Sequence, residues 1–143
     1  MAKRTKKQIF SAYSDQISQK AKNPKAISTH PTIPCPDVLE HVVLADCMAW
    51  LRKRKIMCDR NNVGMFNVPG TSGMCRFGIK FGGDIMGCLP NGRHLEVECK
   101  RGSGGSLSVG QQARRKKVLM NNGVYLVVHS VEELEKLIIK VIR

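Results

Sequence analysis

The sequence predicts an α/β fold: one domain with a mixed β-sheet flanked by helices, in the order helix, three strands, helix, strand, helix (αβββαβα). Three observations point there. Two alternating strand-like runs flank the turn Pro90-Asn91-Gly92. A compact apolar run, 124–129, has the composition of a buried strand. Three further stretches, around 37–54, 108–122 and 130–142, carry apolar spacing or capping residues of helices. A chain of 143 residues can bury one real core. It shows no internal repeat and no second domain.

The first 34 residues are polar and basic: Lys3, Arg4, Lys6, Lys7, Lys20, Lys22 and Lys25 face only Asp15. A short helix fits around Ile9 to Ile17. Pro24, Pro31, Pro34 and Pro36 then impose an extended path. Residues 1–34 are expected to be a basic arm that grips phosphate, with a solubilising tail as the alternative. Residues 35–143 are expected to form the folded domain.

A helix should start at Pro36 or Asp37 and run to about Arg54. Val38, Val42, Ala45 and Ala49, with neighbouring Leu39, Val43, Cys47, Trp50 and Leu51, give it the wide apolar face of a helix lying on a sheet. Glu40 falls inside that sector, where an acid needs a partner. Asp37-x-x-Glu40 suits a capping box; alternatively, Glu40 is an acid of a metal site. Residues 56–60 are strand-like and lead into Arg60-Asn61-Asn62-Val63-Gly64. The Gly-rich sequence to Gly73 reads as a loop, and Cys75 to Phe81 as a strand. Gly82-Gly83 permits a close backbone approach just before Asp84.

The turn at Pro90 decides which side chains meet. Leu89-Pro90-Asn91-Gly92 suits a type I turn with Gly left-handed, closing a three-residue loop with a bulge. That register sets Asp84 opposite Glu98, with Cβ atoms about 5 Å apart. Glu96, Glu98 and Lys100 share this face; Leu95, Val97 and Cys99 point to the other. Two carboxylates side by side repel. A hard divalent cation, magnesium or manganese, removes that cost. The alternative is a solvated face whose acids pair with Lys100 and nearby arginines.

After Lys100, residues 101–105 read as a flexible loop. Ser108 can cap a helix that includes Gln111 and ends near Gly123. Its Arg114, Arg115, Lys116 and Lys117 suit either a solvated face or a phosphate. Val124 to His129 reads as a buried strand. Ser130-x-x-Glu133 forms a capping box for a last helix, with Leu134, Leu137, Ile138, Val141 and Ile142 as its core face.

Charge narrows the partner. Lys and Arg number 24 against 11 acids, a net +13, which favours nucleic acid over a membrane surface. The cysteines at 35, 47, 58, 75, 88 and 99 form no C-x-x-C pair, so zinc is disfavoured. They are expected to be reduced and mostly buried. With no secretory or membrane-spanning run, a cytoplasmic protein is expected.

The ordered set Glu40, Arg60-Asn61-Asn62-Val63-Gly64, Gly83-Asp84-Ile85-Met86-Gly87, Glu98-Cys99-Lys100, Ser108-x-x-Gln111 and Gly123 to Val131 carries a resemblance. From about Pro36 to Val131 the chain resembles the VRR-NUC family of the PD-(D/E)XK nuclease superfamily, with Gly83 where the superfamily shows Pro. The resemblance implies a restriction-endonuclease-like α/β sandwich and a magnesium- or manganese-dependent DNA endonuclease. Glu40, Asp84, Glu98 and the Cys99 carbonyl would hold the metal. Lys100 would act beside them and Gln111 would complete the site. Lys3, Arg4, Lys6, Lys7, Arg60, Arg101, Arg114 and Arg115 are the expected DNA-binding cations. Stand-alone members resemble homodimeric Holliday junction resolvases, so a four-way junction is the expected substrate. The alternatives are a nickase, a restriction-type endonuclease, a flap or fork nuclease, or a non-catalytic DNA-binding protein.

Overall fold

The structure is a computed structural model that describes residues 25–142. The cations Lys3, Arg4, Lys6 and Lys7, and the helix expected near Ile9 to Ile17, lie outside the described residues. The described chain is a mixed α/β fold with three helices. Its elements are β1 (Ile27–Thr29), α1 (Glu40–Lys53), β2 (Met57–Arg60), β3 (Gly64–Asn67), β4 (Met74–Phe77), β5 (Ile85–Cys88), β6 (His94–Cys99), β7 (Gly105–Leu107), α2 (Val109–Met120), β8 (Val124–Val128) and α3 (Val131–Ile142).

Strands β2, β5, β6 and β8 form the main sheet in that order. The first two pairings are antiparallel and β6–β8 is parallel, so the sheet is mixed. With α1, α2 and α3 these four strands make a mixed α/β fold, but six strands, β2 to β7, stand between α1 and α2 where three were expected, and the strand expected at Cys75 to Phe81 is β4, Met74–Phe77, outside the main sheet. The hairpin turn follows the expected type. Gly92 has φ 84° and its N–H donates to the Leu89 carbonyl, while the Leu89 N–H donates to the Arg93 carbonyl. The register pairs Ile85 with Val97 and Met86 with Glu96, so Asp84 falls opposite Glu98.

The two faces of the sheet differ in kind. Leu95, Val97 and Cys99 of β6 join Ile85, Leu126 and Val128 against Val43, Leu44, Cys47 and Leu51 of α1 and Leu134 and Ile138 of α3. Each large apolar side chain fully buried there contributes about 1.5–3 kcal/mol. Ile142, expected in this core, is 36% exposed at the end of α3. The opposite face carries Glu96, Glu98, Lys100 and Tyr125 under α2, all buried.

Four expectations are corrected. Helix α1 starts at Glu40, not near Asp37, and its N-cap Leu39 offers no side-chain cap. Asp37 instead accepts a two-pronged bond from Arg101 and one from the Ser103 N–H, so the Asp37–Glu40 capping box does not form. The segment read as a loop to Gly73 contains β3, which pairs with β4 as a separate hairpin outside the main sheet. The arm does not extend to residue 34: β1 pairs with β7, and Thr29 and Thr32 bond His129 and Glu133. Of the six free cysteines, Cys47, Cys58 and Cys99 are buried and Cys75 is exposed. No described helix is long and apolar enough to cross a membrane.

Candidate active site

Asp84, Glu98, Lys100 and Gln111 come together at one end of the main sheet. Asp84 enters β5 immediately after Gly82-Gly83. The Asn61 N–H donates to the Asp84 carbonyl at 2.8 Å, which holds the segment to the end of β2. Across the strand pair, the Cys99 N–H donates to Asp84 Oδ2 at 2.8 Å. Glu98 and Lys100 follow from the period of two on β6, and the Lys100 ammonium donates to Glu98 Oε1 at 2.7 Å. Gln111 lies in the first turn of α2, whose start is set by the expected Ser108 cap, which with Gln111 closes a capping box. Its Nε2 donates to the same Glu98 oxygen at 2.6 Å.

Gly83 is fixed at this point by its own N–H and by close packing. Its N–H donates to Glu96 Oε2 at 2.9 Å, a bond that Pro cannot make. A Cβ there would sit 2.9 Å from the Val97 nitrogen, so a side chain would push the strands apart.

Electrostatics separates this pair from ordinary surface acids. Burial raises the Glu98 carboxyl and the Asp84 charge raises it further; the Lys100 bond only partly offsets them, leaving Glu98 at about 7. Burial also lifts Asp84 above the usual carboxylate range, against the Cys99 N–H and the charges of Lys100 and Arg60. Among the described residues, no hydrogen bond reaches Asp84 Oδ1 or Glu98 Oε2. One oxygen of each carboxylate is thus without a donor, and burial outweighs the favourable partners each acid has.

Glu40 stands at the first position of α1, exposed. The Gly102 N–H donates to the Val38 carbonyl and Arg101 grips Asp37, which fastens the start of α1 beside the end of β6. Glu40 is near enough for its charge to raise Glu98. It does not close on the other two acids: no three His, Cys, Asp or Glu among the described residues form a ready ligand cluster. Two carboxylates are nevertheless enough for magnesium, which keeps several waters and uses one or two carboxylates plus substrate phosphate.

The expected DNA-binding arginines divide. Arg60 stays close enough to Asp84 to act on its charge, and Arg115 is exposed on α2. Arg101 is committed to Asp37. Arg114 points inward and forks onto Glu96, so it serves the fold rather than an open phosphate surface.

Two residues were missed. Glu96, fully buried, accepts from Arg114, His94 and the Gly83 N–H. Strand alternation put it on the acid face, yet nothing local disclosed its distant partners. Tyr125, beside Glu96 in the β6–β8 register, is only 4% exposed and its hydroxyl has no hydrogen-bond partner. Burial raises the Tyr125 pKa, and the charges of Glu98, Glu96 and Asp84 add to that rise. A buried hydroxyl without a partner on the acid face of the sheet has room for a water or ligand bond.

Comparison of this chain with protein families, curated proteins and solved structures finds no match.

Proposed function

We propose that the chain is a metal-dependent, structure-selective DNA endonuclease of the VRR-NUC type, with a restriction-endonuclease-like fold. The observation that carries the reading is the cross-strand pair of half-buried Asp84 and buried Glu98, repelling, and bounded by Lys100 and Gln111. Such a pair is costly without a cation and useful with one. Magnesium or manganese, when bound, would supply an activated water and stabilise charge at the phosphate.

This chain's own groups divide the remaining work. Asp84, turned by the Cys99 N–H, and Glu98 would hold the metal with the Cys99 carbonyl; Glu40 would approach from α1 when substrate is present. Gln111 fixes the orientation of Glu98. Lys100 is a compact cation that can position water or offset charge at the scissile phosphate. Arg60, Arg115 and the basic residues before Lys25 supply affinity that reads no sequence.

The preferred substrate in this reading is a four-way junction cut by a homodimer. Each chain carries one acid pair, and resolving a junction needs two strands cut, which two-fold symmetry provides. A cytoplasmic setting goes with it, since all six cysteines are free. The test is cleavage of four-way, forked, flapped and linear DNA with magnesium, beside a cruciform plasmid. The reading expects metal-dependent linear product from the cruciform. Nicked circles alone would remove the resolvase and leave the nuclease; no cleavage of any substrate would remove both.

A further inference from the structure

We propose that the β3–β4 hairpin and its base, residues 63–81, form a platform for unpaired bases. Phe66, Phe77 and Phe81 stack on bases exposed at a branch point, while Arg76 and Lys80 take the flanking phosphates. The inference rests on the nuclease reading and names how that site selects branched DNA.

The hairpin pairs only with itself and turns its apolar side chains to water. Met65 and Met74 are 57% exposed, Phe66 52% and Phe77 46%. The register puts Phe66 and Phe77 on one face, ring centroids 6.4 Å apart, and Met65, Met74 and Arg76 on the other; an exposed aromatic pair with a cation at its edge marks a binding face. Its composition says what binds. Between Asn61 and Gly83 there is no acid, two cations and three phenylalanines. A second copy of the chain would bring those cations against their own equivalents, on a protein already at +13. A polyanion offering flat apolar faces suits both features, and nucleic acid with unstacked bases is such a ligand. Intact duplex keeps those faces stacked.

Position gives the second argument. The hairpin leaves the main sheet at Arg60 and Asn61 and returns through Gly82-Gly83 into Asp84. The Asn61 side chain donates to the Ile79 carbonyl and accepts from the Ile79 N–H, both at 2.9 Å, closing the base of the hairpin. Phe81 then adopts φ 62°, a left-handed conformation that a bulky aromatic residue rarely takes. Its ring lies against Gly110, where a Cβ would come within 2.5 Å, and Gly110 precedes Gln111 of the site. The Lys80 ammonium sits over that ring, 4.9 Å from its centre. Phe81 thus bridges the base of the hairpin to the start of α2, still 44% exposed. A strand seated on the hairpin would pass the start of α2, where Gln111 bonds Glu98.

The test is equilibrium binding of the full-length protein to a labelled four-way junction, a splayed fork and a linear duplex of equal length, without divalent metal. Phe66→Ala with Phe77→Ala should weaken junction and fork binding about tenfold or more, the scale of lost base–aromatic stacking, and leave duplex binding alone. Phe66→Tyr should keep wild-type binding, whereas Phe66→Leu should behave as the alanine variant, since area without a flat ring does not stack. Arg76→Ala with Lys80→Ala gives an independent reading: the salt slope on the fork should fall by about 0.7 per lost single-strand contact. Unchanged branch preference in the phenylalanine variants, or an unchanged slope in the cation variant, overturns the proposal. So does rescue by Phe66→Leu with a dimer-to-monomer change in sedimentation, which would make the hairpin a contact between copies. In each of these cases metal-dependent cleavage by wild type keeps the nuclease reading; absence of all DNA binding and cleavage removes it too.

Discussion

Two kinds of enclosed acid occur in this fold, Glu96 and Glu133 on one hand and Asp84 and Glu98 on the other, and their difference separates scaffold from site. Glu96 and Glu133 have both carboxylate oxygens filled. Glu96 takes Arg114, His94 and the Gly83 N–H. Glu133 takes the Thr32 N–H and hydroxyl on one oxygen and the His129 N–H and Nδ1 on the other. Burial pushes both upward, but the donors outweigh it and hold each below the usual range. Buried Glu98 and half-buried Asp84 each have one bonded oxygen, and each is raised. Acids whose donors come from the chain pin elements together; the proposed function gives a ligand to those left short of donors.

The largest expected effect is on chemistry. Asp84→Asn or Glu98→Gln should abolish cleavage while DNA binding and folding persist, because the charge removed was itself unfavourable in the fold. Lys100→Ala should lower the cleavage rate by about 10²–10³-fold, the scale of one preorganised charge-stabilising donor. Single-turnover cleavage beside thermal unfolding measures both, and wild-type rates in either acid variant would break the comparison.

The opposite pattern is expected at the satisfied acids. Glu96→Ala strands Arg114 and the Gly83 N–H, and Glu133→Ala strands His129 and Thr32. Breaking a buried, bonded charge in this way costs about 3–5 kcal/mol. Denaturant titration should show that loss. Stability equal to wild type in both variants would mean that these bonds do not hold the fold.

A pH scan sharpens the contrast. An unfolded glutamate titrates near 4.5 and folded Glu98 near 7, so the folded state binds that proton more tightly. The Glu98 contribution is therefore fully present below about pH 4.5 and is lost as pH rises through 7, on the order of 3 kcal/mol at about 1.36 kcal/mol per pKa unit. Raised Asp84 acts in the same sense. Lowered Glu96 and Glu133 act in the other: their contribution is lost as pH falls through their folded values, below 4.5. Metal-free protein should lose stability from pH 5 to 8. Glu98→Gln should flatten that slope, and a wild-type slope in the variant would show that Glu98 is not its source.

The smallest effect tests the caps. Ser108 caps α2 and Ser130 accepts from the Glu133 N–H at the start of α3. Either Ser→Ala change should cost about 1 kcal/mol in thermal unfolding. Only Ser108→Ala should also slow cleavage, because it loosens Gln111. Equal cleavage by the two variants would remove Gln111 from the site.

The hairpin of the site was legible because its determinants are local. Pro90, Asn91 and Gly92 set the register, and the register brings Asp84 to Glu98. The Ser108 cap was legible for the same reason, and so was Ser130 as a cap, but the Glu133 carboxylate bonds His129 and Thr32 and does not close the expected box on Ser130. The start of α1 was not: the partner of Asp37 is Arg101, which only the closed fold brings near. The role of Glu96 was hidden likewise, since Arg114 arrives from the far side of a loop and a helix turn. The β3 strand escaped because its apolar residues face water, so a reading that assigns apolar alternation to a core cannot find it.

Localised metal binding tests the central claim most directly. Manganese titrated into isotope-labelled protein should broaden amide resonances around Asp84, Glu98, Cys99 and Lys100 first. It should leave those around Glu133 and His129 sharp at the same concentration. In Asp84→Asn the selective broadening should disappear. Broadening centred on Glu133, or broadening at Cys99 that survives Asp84→Asn, would contradict the account.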